Sequence, residues 1–435
     1  MKNKTAVIIL AAGKSKRMKT GTVKVLHKVS GKHIIDYVFD AAGKAKLTDI
    51  CLVVGYQAGK LKETYKGKVL FAEQAKQLGT GHAVEVGLKS LKKRFDNVVI
   101  LYGDMPLIEA GDIKKLVNYH NKNKFDATVL SVKVDNPGDF GRIIRNKSGS
   151  IEGIIEVKDA TPAQLKINEV NTGIYCFKFD ALKKALSGIG YANKQKEKYL
   201  TDTVSYLVKK KASVSVYVSD NKNLAVGINT RVDLANVNDI INKAKLEKLM
   251  LSGVTVIDPR TTYIHNDVKI MPDTVIHPFT IIEGKTSIGP NCSIGPFVRI
   301  TDSVIENDVG IGPFAYIRPG TVINDNAKIG DFVEIKNSKV GSYSKVPHLS
   351  YIGDSILGQR VNIGAGVITC NYDGLSKNQT VISDNCFVGA NCNLVAPVKL
   401  GKGSKTGAGS VVTKDVPDNT LAVGIPARAI KKLKK

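Results

Sequence analysis

Tryptophan is absent from the 435 residues, and aromatic side chains make up only 6% of them. Platforms on which bases could stack are scarce, and no arginine-rich stripe or recognised module is present, so no nucleic-acid partner is expected. No apolar run approaches the ~18 residues of a membrane span, so no membrane partner is expected either. The apolar run behind Met1-Lys2-Asn3-Lys4 imitates a secretion leader. It is short and ends directly in Lys14-Ser15-Lys16-Arg17-Met18, so a first strand explains it better. None of the six cysteines forms a CxxC pair. Cys292, Cys386 and Cys392 each stand four residues after Ile288, Ile382 and Val388, and are expected to be small core hydrophobes in a reducing cytoplasm. Acidic residues are in deficit, 39 against 64 Lys and Arg, for a net charge of +25. A field of that sign favours anionic substrates; the basic run Lys431–Lys435 itself reads as a solvated end. Neither a GxGxxG nor a GxxxxGK[ST] loop occurs, which excludes two common nucleotide cradles.

What is present begins with a beat of six. Isoleucine returns at Ile311, Ile317, Ile323, Ile329 and Ile335, and the beat resumes at Val388, Leu394 and Leu400. No helix has that period and a flat strand needs only two, whereas a hexapeptide β-helix has three hexads per triangular coil. Such coils bury their apolar residues only by stacking. The coil domain is expected from about 253 to 435. Residues 230–252 have helical apolar spacing and read as a linking helix. Residues 1–229 alternate short apolar strands with helical stretches, which predicts a mostly parallel α/β sheet. Strands are expected at residues 5–12, 50–54 and 97–101, and helices near 33–46 and over 83–91. The predicted fold class is therefore α/β, a Rossmann-like domain followed by a parallel β-helix of hexapeptide repeats.

Ligands in such sheets bind at the carboxyl ends of the strands. Gly13 and Asp104 both fall there. The segment Leu10-Ala11-Ala12-Gly13-Lys14 lets backbone N–H groups approach a phosphate closely, and Arg17 and Lys24 add cations. Gln74 and Gln77-Leu78-Gly79-Thr80-Gly81-His82 form a second polar loop. Asp104, in Tyr102-Gly103-Asp104-Met105-Pro106, is a natural Mg²⁺ ligand, and Asn229 offers a second oxygen.

The ordered motifs LAAGKSKRM, VKVLH, QLGTGHA, YGDMPL, FGRI, IIEVKDA, NEVNTGIY and VGIN make the amino-terminal part resemble a sugar-1-phosphate nucleotidylyltransferase. With the carboxyl-terminal motifs, the whole chain resembles the bifunctional N-acetylglucosamine-1-phosphate uridylyltransferase / glucosamine-1-phosphate acetyltransferase family. The resemblance implies that Leu10, Ala11, Gly13, Gln74, Gly79 and Thr80 hold the nucleotide of UTP, with Arg17 and Lys24 on its phosphates. It implies Asp104 and Asn229 on Mg²⁺, and Tyr102, Gly141, Glu156 and Asn171 on the N-acetylglucosamine-1-phosphate. Val23 stands where the family usually has proline, and Ser15 and Lys16 also depart from its pattern.

The beat breaks around 337–353 and 369–380, and insertions in a solenoid often form the binding face. His348 lies in the first break, and a histidine is the natural base for an amine attacking a thioester. The resemblance makes His348 that base. It places Arg318 and Lys336 on the phosphate of glucosamine-1-phosphate, and Tyr351 and Asn362 on its sugar. Ala365, Asn371, Tyr372 and Ala408 would line the acetyl-coenzyme A site; Ala390 replaces the family's serine there, and Arg428 would reach a coenzyme A phosphate. A left-handed coil and a homotrimer with sites between chains are likewise implied by the resemblance. Two rivals remain: a single-activity nucleotidylyltransferase with a structural coil, and a non-catalytic scaffold of the same two domains. The set His348, Tyr351, Asn371 and Tyr372 argues against the first, and Arg17, Lys24 and Asp104 against the second.

Overall fold

The computed structural model describes residues 3–14 and 16–432; Ser15 and Leu433–Lys435, and with them that departure and most of the basic tail, lie outside the described residues. The chain forms two compact units, Met1–Asn238 and Asp239–Lys435. The boundary falls inside the helix Arg231–Leu251, which occupies the region expected to be a linking helix.

The first unit is built on a mixed sheet. Its strands run, in spatial order, Val214–Ser219, Ala127–Lys133, Glu169–Lys178, Asn97–Tyr102, Thr5–Ala11, Ile50–Val54 and Leu70–Glu73. Along this row all pairings are parallel except those of Glu169–Lys178, which is antiparallel to both neighbours; off the row, Arg142–Arg145 and Ile151–Ile155 add an antiparallel pair. The central strands Thr5–Ala11, Asn97–Tyr102 and Ile50–Val54 are apolar over most of their length because both faces are covered. Val7, Ile9, Leu52 and Leu101 pack with Ile35, Val38 and Ile113 of two helices on one face. Ile8, Val53 and Ile100 pack with Val84, Leu88, Leu182 and Val204 on the other. The helix expected over 83–91 begins earlier, at Thr80, with Gly79 as its amino-terminal cap residue. Residues 13–32 hold two 3₁₀ turns, Lys16–Met18 and Lys24–Leu26, and the short strand Lys28–Val29.

The second unit is a left-handed parallel β-helix. Three parallel sheets form its sides, in which each strand pairs with the strand one coil away, and the antiparallel hairpin of Thr420–Gly424 with Ala427–Lys432 ends one of them. Ile294 faces Ile311 and Ile329 in one column, and Ile300 faces Ile317 and Ile335 in another. Every residue of the six-residue beat is at most 3% exposed, so each contributes roughly 1.5–3 kcal/mol through burial. Cys292, Cys386 and Cys392 belong to this inner stack. On one outer corner Phe279, Phe297, Phe314 and Phe332 stack at 4.8–5.0 Å between ring centroids.

The expected first insertion is not there. Between 337 and 353 the chain keeps to the coil, with Val340, Val346 and Ile352 fully buried. The irregularity is a corner one residue short, with five residues rather than six from Ile335 to Val340. Asn337 turns that corner at φ 46°, and Asp302 and Asp354 turn the equivalent short corners at 45° and 49°. Asn and Asp enter the left-handed region at less cost than other residues with a Cβ, so a hexad can lose one residue without leaving the solenoid. The second break is a true excursion. It is closed by an antiparallel bridge between Tyr372 and Lys377.

Candidate active sites

The carboxyl ends of Thr5–Ala11 and Asn97–Tyr102 open into a cleft of ≈ 630 Å³. Leu10, Ala11, Gly13, Arg17, Lys24, Gln74, Gly79, Thr80, Tyr102, Asp104 and Asn229 all line it. Sequence reasoning placed each of these in the nucleotide, metal or sugar site, and the fold brings them together. At the cleft floor Lys24 Nζ ion-pairs with Asp104 and donates to Asn229 Oδ1 at 3.1 Å. Two oxygen donors from distant parts of the chain thus converge on one cation. Asp233 fixes the second: its Oδ2 accepts from the backbone N–H groups of Asn229 and Thr230 at 2.9 and 2.8 Å. These bonds lower the Asp233 pKa despite partial burial. Asp233 and Thr230 make a Thr-x-x-Asp capping arrangement that was readable in the sequence.

Gln74 is 3% exposed, and its side-chain nitrogen donates to the Gly79 carbonyl at 3.0 Å. Its amide therefore shapes the second loop from inside. Arg17 points to Asp139 at 3.3 Å in an exposed pair of little energetic weight, which leaves the guanidinium available to an anion. Val23 is 3% exposed with φ −57° and ψ 128°, the backbone a proline would adopt.

Gly141, Glu156 and Asn171 do not line the cleft but adjoin it through Tyr102. Gly173, at φ +79°, leaves room for the Tyr102 ring, which a Cβ there would meet at 2.8 Å. The Asn171 N–H donates to the Gly141 carbonyl at 2.9 Å. Glu156 accepts from Thr201 Oγ1 at 3.0 Å, and burial raises its pKa. Burial, reinforced by the Glu156 charge, pushes the Tyr102 phenol above its usual range. Sequence reasoning missed the cover of this cleft. Glu197 lines it, and the backbone of Lys198 bonds Leu78 and Gly81 at 2.8 and 2.7 Å. No local motif announces that segment.

In the β-helix the expected residues occupy two corner columns and an adjoining side. Arg318, Asp354 and Asn371 directly follow strands of one side, and Lys336 is the last residue of another strand in the same series. Arg318 ion-pairs with Glu334 at 2.6 Å and lies over the Tyr316 ring at 5.8 Å. Asn371 is 7% exposed and donates to Asp354 Oδ2 at 2.5 Å and to the Tyr351 hydroxyl at 3.5 Å. Gly353 makes this possible, since a Cβ there would fall 2.4 Å from the Tyr351 hydroxyl. Lys377, which sequence reasoning passed over, stands beside Lys336, and that neighbouring cation lowers its pKa. Tyr372 is exposed on the excursion.

The second column holds His348, Ala365, Ala390 and Ala408. The His348 carbonyl accepts from Gly366 N, that of Ala365 from Asn391 N and that of Ala390 from Gly409 N, at 3.4, 2.7 and 2.8 Å. His348 is not on a loop. It ends the strand Lys345–His348, directly opposite Asp331 of the preceding coil. Asn362 lies on the adjoining side, in a hollow of ≈ 490 Å³ with Lys328, Lys345 and Arg360. Arg428 sits on the final hairpin opposite Val423.

Known proteins match the chain along nearly its whole length. The nucleotidyl transferase family model matches residues 6–245, the bacterial transferase hexapeptide (six repeats) model 261–302, and the GMPPB C-terminal domain model 303–399. The chain is 46% identical over 437 residues to the bifunctional protein GlmU of Syntrophomonas wolfei, covering 97% of each. It is 47% identical to that of Carboxydothermus hydrogenoformans over 96% of each. Against that of Clostridioides difficile it is 42% identical, over 98% of this chain and 96% of the relative.

Proposed function

The chain belongs to the bifunctional GlmU family, and from that premise we propose how its residues divide the work. It is an enzyme of UDP-N-acetylglucosamine synthesis, a cell-wall precursor. It acetylates glucosamine-1-phosphate with acetyl-coenzyme A, then transfers UMP from UTP to N-acetylglucosamine-1-phosphate and releases pyrophosphate.

Uridylyl transfer belongs to the first unit. Leu10, Ala11, Gly13, Gln74, Gly79 and Thr80 hold the nucleotide, and Tyr102, Gly141, Glu156 and Asn171 hold the sugar. A phosphate oxygen of the sugar attacks the α-phosphorus of UTP in line and pyrophosphate departs. Such chemistry needs positioning and charge neutralisation more than a protein base, and Arg17 and Lys24 supply cations. One carboxylate and one amide oxygen fit Mg²⁺, a hard ion that completes its shell with phosphates and water. Asp104 and Asn229 would hold it, and when bound it neutralises charge on the transferring group. The convergence of Lys24, Asp104 and Asn229 on one point is the observation that carries this reading.

Acetyl transfer belongs to the second unit. His348 takes a proton from the sugar amine, Tyr351 and Asn362 hold the sugar, and Arg318 and Lys336 hold its phosphate. The ammonium groups of Lys336 and Lys377 repel, and a phosphate dianion between them relieves that repulsion. Acetyl-coenzyme A runs along the column of Ala365, Ala390 and Ala408, with Asn371, Tyr372 and Arg428 at its ends. The residues stand on two edges and an adjoining side of the coil. A homotrimer that brings sides of neighbouring chains together would unite them, and we propose that assembly. No helix among the described residues is long and apolar enough to cross a membrane, and we place the enzyme with its substrates in the cytoplasm.

The test is direct. Purified protein with glucosamine-1-phosphate and acetyl-coenzyme A should release free thiol. With N-acetylglucosamine-1-phosphate, UTP and Mg²⁺ it should release pyrophosphate. Absence of either product removes that activity from the account.

A further inference from the structure

His348 and Asp331 are 17 residues apart in sequence but are neighbours in the parallel ladder. His348 Nδ1 lies 2.5 Å from Asp331 Oδ1. A carboxylate can only accept, so the proton between them belongs to Nδ1. The ring is then the tautomer whose lone pair sits on Nε2. The two side chains are 56% and 38% exposed, so burial does not hold the imidazole in place. The contact with Asp331 is what orients it. The same contact holds the Asp331 carboxyl below its usual range, which keeps it ionised.

We infer that Asp331 is the positioning residue of acetyl transfer, fixing the tautomer and direction of His348 and stabilising the imidazolium that forms. This rests on the reading of His348 as the base. In the step, the amine lone pair of glucosamine-1-phosphate forms the N–C bond to the thioester carbonyl as one amine proton passes to Nε2. The C–S bond breaks, and the departing coenzyme A thiolate takes the proton back from Nε2. Asp331 touches neither substrate and exchanges no proton; its charge compensates the positive ring during the interval. The column geometry explains why this carboxylate and no other serves. Within a coil, outward side chains diverge around a corner, whereas residues in ladder register one coil apart stand side by side.

The experiment measures thiol release by the full-length protein carrying Asp331→Ala, Asp331→Asn, His348→Ala or the double change His348→Ala with Asp331→Ala. Asp331→Ala should lower kcat at least about tenfold while both KM values stay within about threefold, as expected for a group that acts through the base. Asp331→Asn keeps the shape and removes the charge, and should not restore kcat. In the His348→Ala background, loss of Asp331 should cost nothing further, because it has no ring left to orient. Pyrophosphate release should be unchanged throughout, which shows that the first unit is intact, and an unchanged cooperative melting transition shows the same of the β-helix. Wild-type kcat in Asp331→Ala, a change in KM alone, or an additive loss in the double variant would overturn the inference while leaving His348 as base. Retention of acetyl transfer by His348→Ala would overturn both.

Discussion

Lys24 and Asp104 form an ion pair on the floor of the cleft in the first unit, with side chains only 14% and 21% exposed. Eighty residues separate them, and the end of the strand Asn97–Tyr102 brings the carboxylate to the loop that carries the lysine. The first prediction follows from the charge concentrated there. Asp104→Asn should lower pyrophosphate release roughly 100- to 1000-fold, the scale of losing one preorganised electrostatic partner. Raising Mg²⁺ should recover only part of it. A change smaller than tenfold would remove Asp104 from the site.

Burial of His120 yields a pH dependence of stability. The residue is 1% exposed, its Nδ1 lies 2.9 Å from Thr128 Oγ1, and its Nε2 has no partner among the described residues. Desolvation, with a smaller contribution from Lys178, lowers its pKa to about 4. Its folded pKa lies below the unfolded value near 6.5, so the unfolded chain binds the proton first as pH falls. The stabilising contribution is therefore full above about pH 6.5 and is lost progressively toward pH 4, up to about 3 kcal/mol. The unfolding midpoint of the first unit, followed from pH 7.5 to 4.5, should fall less steeply in His120→Leu than in the wild type. Parallel profiles would contradict this.

Val23 holds a proline-like backbone, φ −57° and ψ 128°, without being proline. Val23→Pro should therefore stabilise the first unit by roughly 0.4–1 kcal/mol by restricting the unfolded chain, seen as a higher melting temperature with pyrophosphate release preserved. A lower melting temperature would mean that the site needs the freedom valine keeps.

Gly353 leaves the space in which Tyr351 and Asn371 meet. Gly353→Ala should displace the Tyr351 hydroxyl, raise KM for glucosamine-1-phosphate at least about threefold, and leave pyrophosphate release alone. The size reflects the loss of one sugar hydrogen bond, about 1 kcal/mol. An unchanged KM would remove Tyr351 from the sugar site.

The parts legible in the sequence were those whose signal is local or strictly periodic. The beat from Ile311 to Ile335 announces the solenoid because an inner stack admits only apolar residues at that spacing. The cleft loops were readable because glycines, cations and a strand-end aspartate fall within short segments. Short corners were misread as an insertion, because a missing residue at Asn337 and an added loop both interrupt the beat, and only the backbone distinguishes them. Asp331 escaped notice for the same reason. Its partner is one coil away, and the coil length cannot be counted until the short corner at Asn337 is known. Glu197 and the Lys198 backbone reach the cleft through tertiary packing that has no motif.

The central claim is that two chemistries occupy separate units of one chain, and reciprocal variants assayed for both products test it most directly. His348→Ala should lower thiol release roughly 100- to 10,000-fold and leave pyrophosphate release within about twofold. Asp104→Asn should do the reverse. If either substitution abolishes both activities in a protein that still melts cooperatively, the division of labour described here is wrong.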